Sequence, residues 1–160
     1  MTSALPYRRG VGIMLINQTG HVFVGQRIDT PDAWQMPQGG IDRGEEPEDA
    51  AFRELEEEIG TNAATLLGET KDWLRYDLPP DVQKKVWKGK YRGQEQKWYV
   101  MRLAGPDALI DIETDHPEFD AWKWVPLDQL IPLIVPFKRA LYTDVIAALG
   151  TYVKPAQPNP

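Results

Sequence analysis

The sequence predicts one α/β domain over residues 1–150, a sandwich built around a mixed β-sheet. Two apolar runs of strand length come first, then an acidic segment of helical period, then further strands and a second helical segment. That order is not the regular strand–helix alternation of a doubly wound parallel sheet. The 160 residues are 42% hydrophobic and include six tryptophans, six tyrosines and four phenylalanines, enough for one core and suited to one domain.

"GVGIMLIN" (Gly10 to Asn17) reads as a buried strand and "HVFVGQR" (His21 to Arg27) as its partner. The intervening "NQTG" supplies Asn17 and Gly20 for the turn. "PDAWQMPQGG" (Pro31 to Gly40) is punctuated by proline and glycine and reads as a loop. "PEDAAFRELEEEIG" is a helix, with Pro47 suited to its first turn and Gly60 to its stop. "QKWYVMRL" (Gln96 to Leu103) is a strand, and "AWKWVPL" is a short strand entering a turn. "PFKRALYTDVIAALG" (Pro136 to Gly150) is a second helix, with apolar residues at 137, 141, 145 and 149. The proline-rich end, residues 151–160, reads as an unstructured tail.

The chain has no cysteine, which excludes disulfides, thiolate metal sites and a cysteine nucleophile. With His21 and His116 as its only histidines, a histidine-rich zinc site is not expected. "MTSALPYRRGVG" lacks an apolar region after its charges and does not read as a secretory signal, and no run approaches the ~18 apolar residues of a membrane span. The expectation is a soluble, cytoplasmic monomer without membrane contact. The formal net charge of -6 argues against broad binding to DNA or other nucleic acid, though not against a local basic site.

Charge is segregated. Residues 41–60 are strongly acidic, whereas the stretch from Lys71 to Lys97 carries Lys71, Arg75, Lys84, Lys85, Lys88, Lys90, Arg92 and Lys97 against Asp72, Asp77, Asp81 and Glu95. Acidic and basic regions side by side suit metal ions beside a polyphosphate; the alternative for the basic stretch is a solvated loop with lysines for solubility. Within "RELEEEIG", helical rotation of about 100° per residue brings Glu54, Glu57 and Glu58 onto one stripe. Ala51, Phe52, Leu55 and Ile59 form a packing face, and Glu56 points away. Arg53, four residues before Glu57, offsets part of the repulsion, but such a surface pair contributes only ~0.3–0.5 kcal/mol. A bound hard cation explains the cluster better, and with these donors Mg²⁺ or Mn²⁺ outranks Zn²⁺.

The longer stretch "GGIDRGEEPEDAAFRELEEEIGT" resembles the Nudix box, G-x5-E-x7-R-E-U-x-E-E-x-G-U, where U is a bulky aliphatic residue. Gly39, Glu45, Arg53, Glu54, Leu55, Glu57, Glu58 and Gly60 occupy the fixed positions; Thr61 departs at the last U. "WQMPQGGI", "GQEQKWY", "PEFDAWKWV" and "PFKRALY" resemble the branch of bacterial RNA pyrophosphohydrolases and dinucleoside polyphosphate hydrolases, and the likeness runs to about Leu149. The resemblance implies a Nudix-type α/β/α sandwich with a loop-helix-loop catalytic motif. It implies removal of pyrophosphate from 5′-triphosphorylated RNA, as in mRNA decay, to leave 5′-monophosphate RNA. The alternative is hydrolysis of a dinucleoside polyphosphate such as diadenosine tetra- or pentaphosphate to give ATP. A more distant one is a non-catalytic nucleotide-binding module.

Carried over residue by residue, the resemblance makes Glu54, Glu57 and Glu58 metal ligands, with a backbone carbonyl near Gly39 as another and more than one Mg²⁺ or Mn²⁺ ion bound. Glu118 matches a further metal ligand or the general base; Glu57 is the other candidate base. Glu45 and Arg53 orient the catalytic loop and helix. Arg8, Arg27 and Lys138 contact phosphates or base, and Phe137 stacks on the first base.

Overall fold

A computed structural model describes residues 5–156. Its strands are β1 (Tyr7–Ile16), β2 (Val22–Arg27), β3 (Trp34–Gln35), β4 (Gln38–Gly40), β5 (Ala64–Glu69), β6 (Leu74–Asp77), β7 (Gly93–Leu103) and β8 (Phe119–Val125). The helices are α1 (Pro47–Ile59), α2 (Pro80–Gln83), α3 (Leu130–Leu133) and α4 (Arg139–Leu149). The sheet runs β3-β2-β1-β7-β5, with β4 added to β1, β6 to β7 and β8 to β2. Among the described residues only β1 and β7 are parallel, paired from Tyr7↔Gly93 to Ile16↔Arg102; the other pairings are antiparallel.

A strand covered on both faces must be apolar at successive positions, and "VGIMLI" is. Val11, Ile13 and Leu15 pack with Ala50, Ala51, Leu55 and Ile59 of α1. Met14 and Ile16 point the other way, into a second core with Leu141, Tyr142, Val145 and Leu149 of α4. The period of two along β1 thus places one helix on each face, giving the expected α/β/α sandwich with a mixed sheet. Among the described residues no helix is long and apolar enough to cross a membrane.

The first turn of α1 has Pro47, Glu48 and Asp49, which suit its fixed φ and the positive end of the helix dipole. Gly60 ends the helix with φ 80°, and its N–H donates to Glu56 O at 2.9 Å. A side chain there would also meet Asp111 O at 2.6 Å, so glycine is required twice over. Thr61, where the box pattern expects an aliphatic residue, accepts a bond from Ala63 N through Oγ1 at 3.1 Å and turns the chain toward β5.

The structure departs from expectation in four places. Residues 31–40, read as a loop, contain β3 and β4, strands too short to show a period. The lysine-rich stretch contains β6 and α2. The second helix begins as a 3-10 turn over Pro136–Lys138, with Pro136 at its first position. Leu141, Val145 and Leu149 are buried, whereas Phe137 on that turn is only partly so. The tail is not free from residue 151: Gly150–Tyr152 form a 3-10 turn, Ala156 N donates to Gln18 O at 2.8 Å, and Arg102 Nη2 donates to Lys154 O at 2.9 Å. Those backbone bonds, with Val153 packed against the α4-side core, hold the segment in place. Residues 157–160 lie outside the described residues.

The Tyr142 hydroxyl, buried in the α4-side core, accepts the Met36 N–H at 2.9 Å and so ties α4 to the link between β3 and β4. Tyr142→Phe strands that buried N–H. It should cost about 1–3 kcal/mol with little change in m-value, measured by urea unfolding.

Candidate active site

The loop between β4 and α1 is fastened to α1 by one guanidinium. Arg53 donates through Nε and Nη2 to Glu45 Oε2 and Oε1 at 2.8 and 2.9 Å, and through Nη2 to Gly40 O at 2.9 Å. Its Nη1 donates to Glu54 Oε1 at 2.9 Å and to Glu57 Oε2 at 3.1 Å. Glu45 Oε1 in turn accepts Asp42 N at 3.0 Å. The Arg53 bonds, helped by the Asp42 N–H, hold the Glu45 carboxyl down at about 2.

The three stripe glutamates differ in depth. Glu57 is 58% exposed and turned to Arg53. Glu54 is mostly covered, its carboxyl so close to the Gly39 backbone that a Cβ at Gly39 would collide with it. Burial raises the Glu54 pKa, and Arg53 opposes the rise. Glu58 is buried, and Gln38 N donates to its Oε2 at 3.0 Å. Burial pushes its pKa well above the usual carboxylate range, and the charges of Glu54 and Glu118 push the same way. Glu56 is exposed.

Glu118 is exposed where β8 begins, beside a register shift between Gln26 and Arg27 in the β2–β8 pairing. Bulges of this kind re-aim side chains near functional sites. Here the shift brings Arg27 and Glu118 to one cleft of about 300 Å³ with Arg8, Gly39, Glu54 and Glu58. Arg8 lies over the Trp87 indole, 5.0 Å from its centroid, and Arg27 is gripped by Asp29 at 2.6 and 2.7 Å. Among the described residues, no three acidic or histidine side chains stand together as a preassembled metal cage. Glu54 and Glu57 are each turned to Arg53 instead.

A second chamber of about 320 Å³ adjoins the first through Arg27, Gln38, Val86 and Trp87. Tyr76 and Phe137 pack against each other in its wall, with centroids 6.1 Å apart and planes at 37°. The buried Lys138 ammonium sits 5.4 Å from the Tyr76 ring; burial and then the Arg27 charge pull its pKa down to about 8. Burial pushes Tyr76 up to about 12, and its hydroxyl accepts Gln94 Nε2 at 2.8 Å. Gln96 Nε2 donates to Gln38 Oε1 at 2.6 Å, which props the floor of the cleft.

Arg8, Arg27, Gly39, Glu54, Glu58 and Glu118 border this cleft, and Arg27, Phe137 and Lys138 border the adjoining chamber. Arg53 borders neither but is bonded to Glu54 and Gly40, and Glu57 is linked to the cleft only through Arg53. Sequence reasoning missed Tyr76, Trp87, Gln38 and Gln94. Tyr76 and Trp87 lie in the basic stretch, where charge is the dominant pattern; aromatic rings spaced among its lysines are the signal that marks them.

The NUDIX domain family model matches residues 6–145. An RNA pyrophosphohydrolase of Rhodospirillum rubrum is 60% identical over 153 residues, 96% of this chain and 93% of that protein. The RNA pyrophosphohydrolase of Rickettsia africae is 51% identical over 151 residues, 94% of each. Among solved structures, the E. coli dihydroneopterin triphosphate pyrophosphohydrolase superposes with a TM-score of 0.70 at 21% identity, over 89% of this chain and 98% of that one. A C. elegans Ap4A hydrolase binary complex gives 0.63 at 24% identity, over 90% and 98%. At such identities the structural likeness establishes the fold alone.

Glu45 titrates at about 2 in the fold against an ordinary 4.5, so its pairing with Arg53 stabilises fully above pH 4.5 and is lost as pH falls from 4.5 to about 2. Acid unfolding followed by tryptophan fluorescence should therefore separate the parent from Glu45→Gln most above pH 4.5. The two curves should converge near pH 2.

Proposed function

The chain belongs to the NUDIX family, and we propose that it hydrolyses the 5′-triphosphate end of RNA, releasing pyrophosphate and leaving a 5′-monophosphate. The reaction adds water across one P–O–P bridge. The observation that carries this reading is the juxtaposition of Glu54, Glu58 and Glu118 with Arg8 and Arg27 in one cleft, opening onto an aromatic chamber. The 51–60% identity to proteins named RNA pyrophosphohydrolase supports it.

The donor set fits a hard divalent cation, Mg²⁺ or Mn²⁺, with more than one ion engaged: Glu54, Glu57, Glu58, Glu118 and the Gly39 carbonyl offer oxygen only. Glu58, buried beside two other carboxylates, is the group whose charge most needs such compensation. When bound, the ions neutralise phosphate charge and lower the pKa of the attacking water. Arg53 holds Glu54 and Glu57 in place, and Glu45 holds Arg53. Arg8 and Arg27 face the phosphates, while Phe137, Tyr76 and Lys138 line the space for a base. The water's proton passes to Glu118 or Glu57. The protein acts in the cytoplasm as a monomer, on RNA rather than DNA.

A second reading, hydrolysis of a dinucleoside polyphosphate to give ATP, is favoured by the second chamber of about 320 Å³, lined by Tyr76 and Phe137 and adjoining the cleft, as a place for a second base. Competition at matched concentrations separates the two readings. kcat/KM should be higher for 5′-triphosphorylated RNA than for diadenosine tetraphosphate, and the reverse order would select the second. Glu57→Gln should lower kcat by about 10²-fold or more with Mg²⁺ or Mn²⁺ present. Unchanged turnover would remove Glu57 from the site.

A further inference from the structure

The basic residues from β6 into β7 fall into two populations. Those on or next to the strands are paired: Arg75 with Glu95 at 3.1 Å, Arg92 with Asp77 at 2.9 Å, and Lys97 with Glu69 at 3.3 Å. Lys84, Lys85, Lys88 and Lys90 are exposed, and no ion pair among the described residues involves any of them. A chain with net charge -6 has acids to spare, yet leaves these four uncompensated together.

Their place in the fold is specific. Lys85 and Lys88 flank Val86 and Trp87, which line both chambers of the cleft. The turn that carries them is tightly wound: Trp87, Lys88 and Gly89 have φ of 46°, 57° and 70°, a left-handed run that non-glycine residues rarely adopt. It is closed by Gly89 N to Val86 O at 2.9 Å and Lys90 N to Trp87 O at 3.1 Å. The other side of the cleft is acidic: Glu56, Glu57, Asp111, Glu113, Asp115 and Glu118 border a basin of about 520 Å³. A polyanion with its end among the buried carboxylates is repelled on that side and attracted on the lysine side.

We propose that the Lys84–Lys90 turn is the docking surface for the sugar-phosphate backbone of RNA beyond the first two nucleotides of the reacting end. It gives the enzyme a preference for RNA chains over dinucleotides of the same end chemistry. This rests on the RNA reading of the site. Arg8 and Arg27 already face the triphosphate within the cleft, so lysines outside it meet only a substrate that continues beyond. Each lysine–phosphate contact releases counterion, steepening log affinity against log salt by about 0.7 per contact on a single strand.

The test compares the parent with K84Q/K85Q/K88Q/K90Q on three substrates: triphosphorylated RNA of about twelve nucleotides, a triphosphorylated dinucleotide and diadenosine tetraphosphate. For the long RNA at low salt, KM should rise about tenfold with kcat unchanged, and the salt slope should flatten by up to about 0.7 per lysine engaged. The two short substrates should show no change, which also reports an intact fold. The corresponding Lys→Arg variant should restore the parent KM. Equal effects on long and short substrates, or no effect on either, would overturn the docking surface while leaving RNA hydrolysis standing. A parent that cleaves diadenosine tetraphosphate but not triphosphorylated RNA would overturn the RNA reading, and the docking surface with it.

Discussion

The arrangement of the cleft depends on the Arg53 guanidinium. Its planar fork spans Glu45 and the Gly40 carbonyl on the loop, and Glu54 and Glu57 on the helix. A lysine has the charge but not the fork, so it could not span both sides at once. The opposite face of α1 is fixed independently, because Ala51, Leu55 and Ile59 are wholly buried against the sheet. Packing sets the rotation of the helix, and Arg53 sets where the loop meets it. Together they bring Gly39 against Glu54 at a separation that only a residue without a Cβ allows.

From that fixed helix comes a gradient of burial. Successive carboxylates pass from exposed Glu57 through Glu54 to buried Glu58, and the electrostatic cost grows with depth. The bulge between β2 and β8 completes the cleft from the far side with one cation and one anion, Arg27 and Glu118. The result is a cleft whose acidic and basic sides are contributed by different parts of the chain.

Much of this was legible in the sequence, for physical reasons that differ by element. The helix Pro47–Ile59 was bounded by Pro47 and Gly60, whose backbone constraints are local. The two central strands announced themselves by continuous apolar runs. The box spacing named Glu45, Arg53, Glu54, Glu57 and Glu58, because their contacts lie within one loop and one helix. What escaped was non-local. β3 and β4 are defined by partners on β2 and β1, and two or three residues display no period. Tyr76 and Trp87 reach the cleft only because β6 pairs with β7, a relation that composition cannot express. The unequal depth of the three glutamates depends on what the sheet and Glu118 place above them.

The parallel pairing of β1 with β7 has a consequence for how the molecule comes into being. Partners on the two strands, such as Arg9 and Glu95, are 86 residues apart in the chain, and α1 with its carboxylates lies inside the loop they close. Contacts this distant are made late and slowly. During synthesis, β1 emerges with the edge destined for β7 unpaired, and it stays so until about two thirds of the protein has been made. For that interval an apolar strand with free backbone groups is open to pairing with other chains. The strand that anchors the finished sheet is thus the part of the nascent chain most in need of protection.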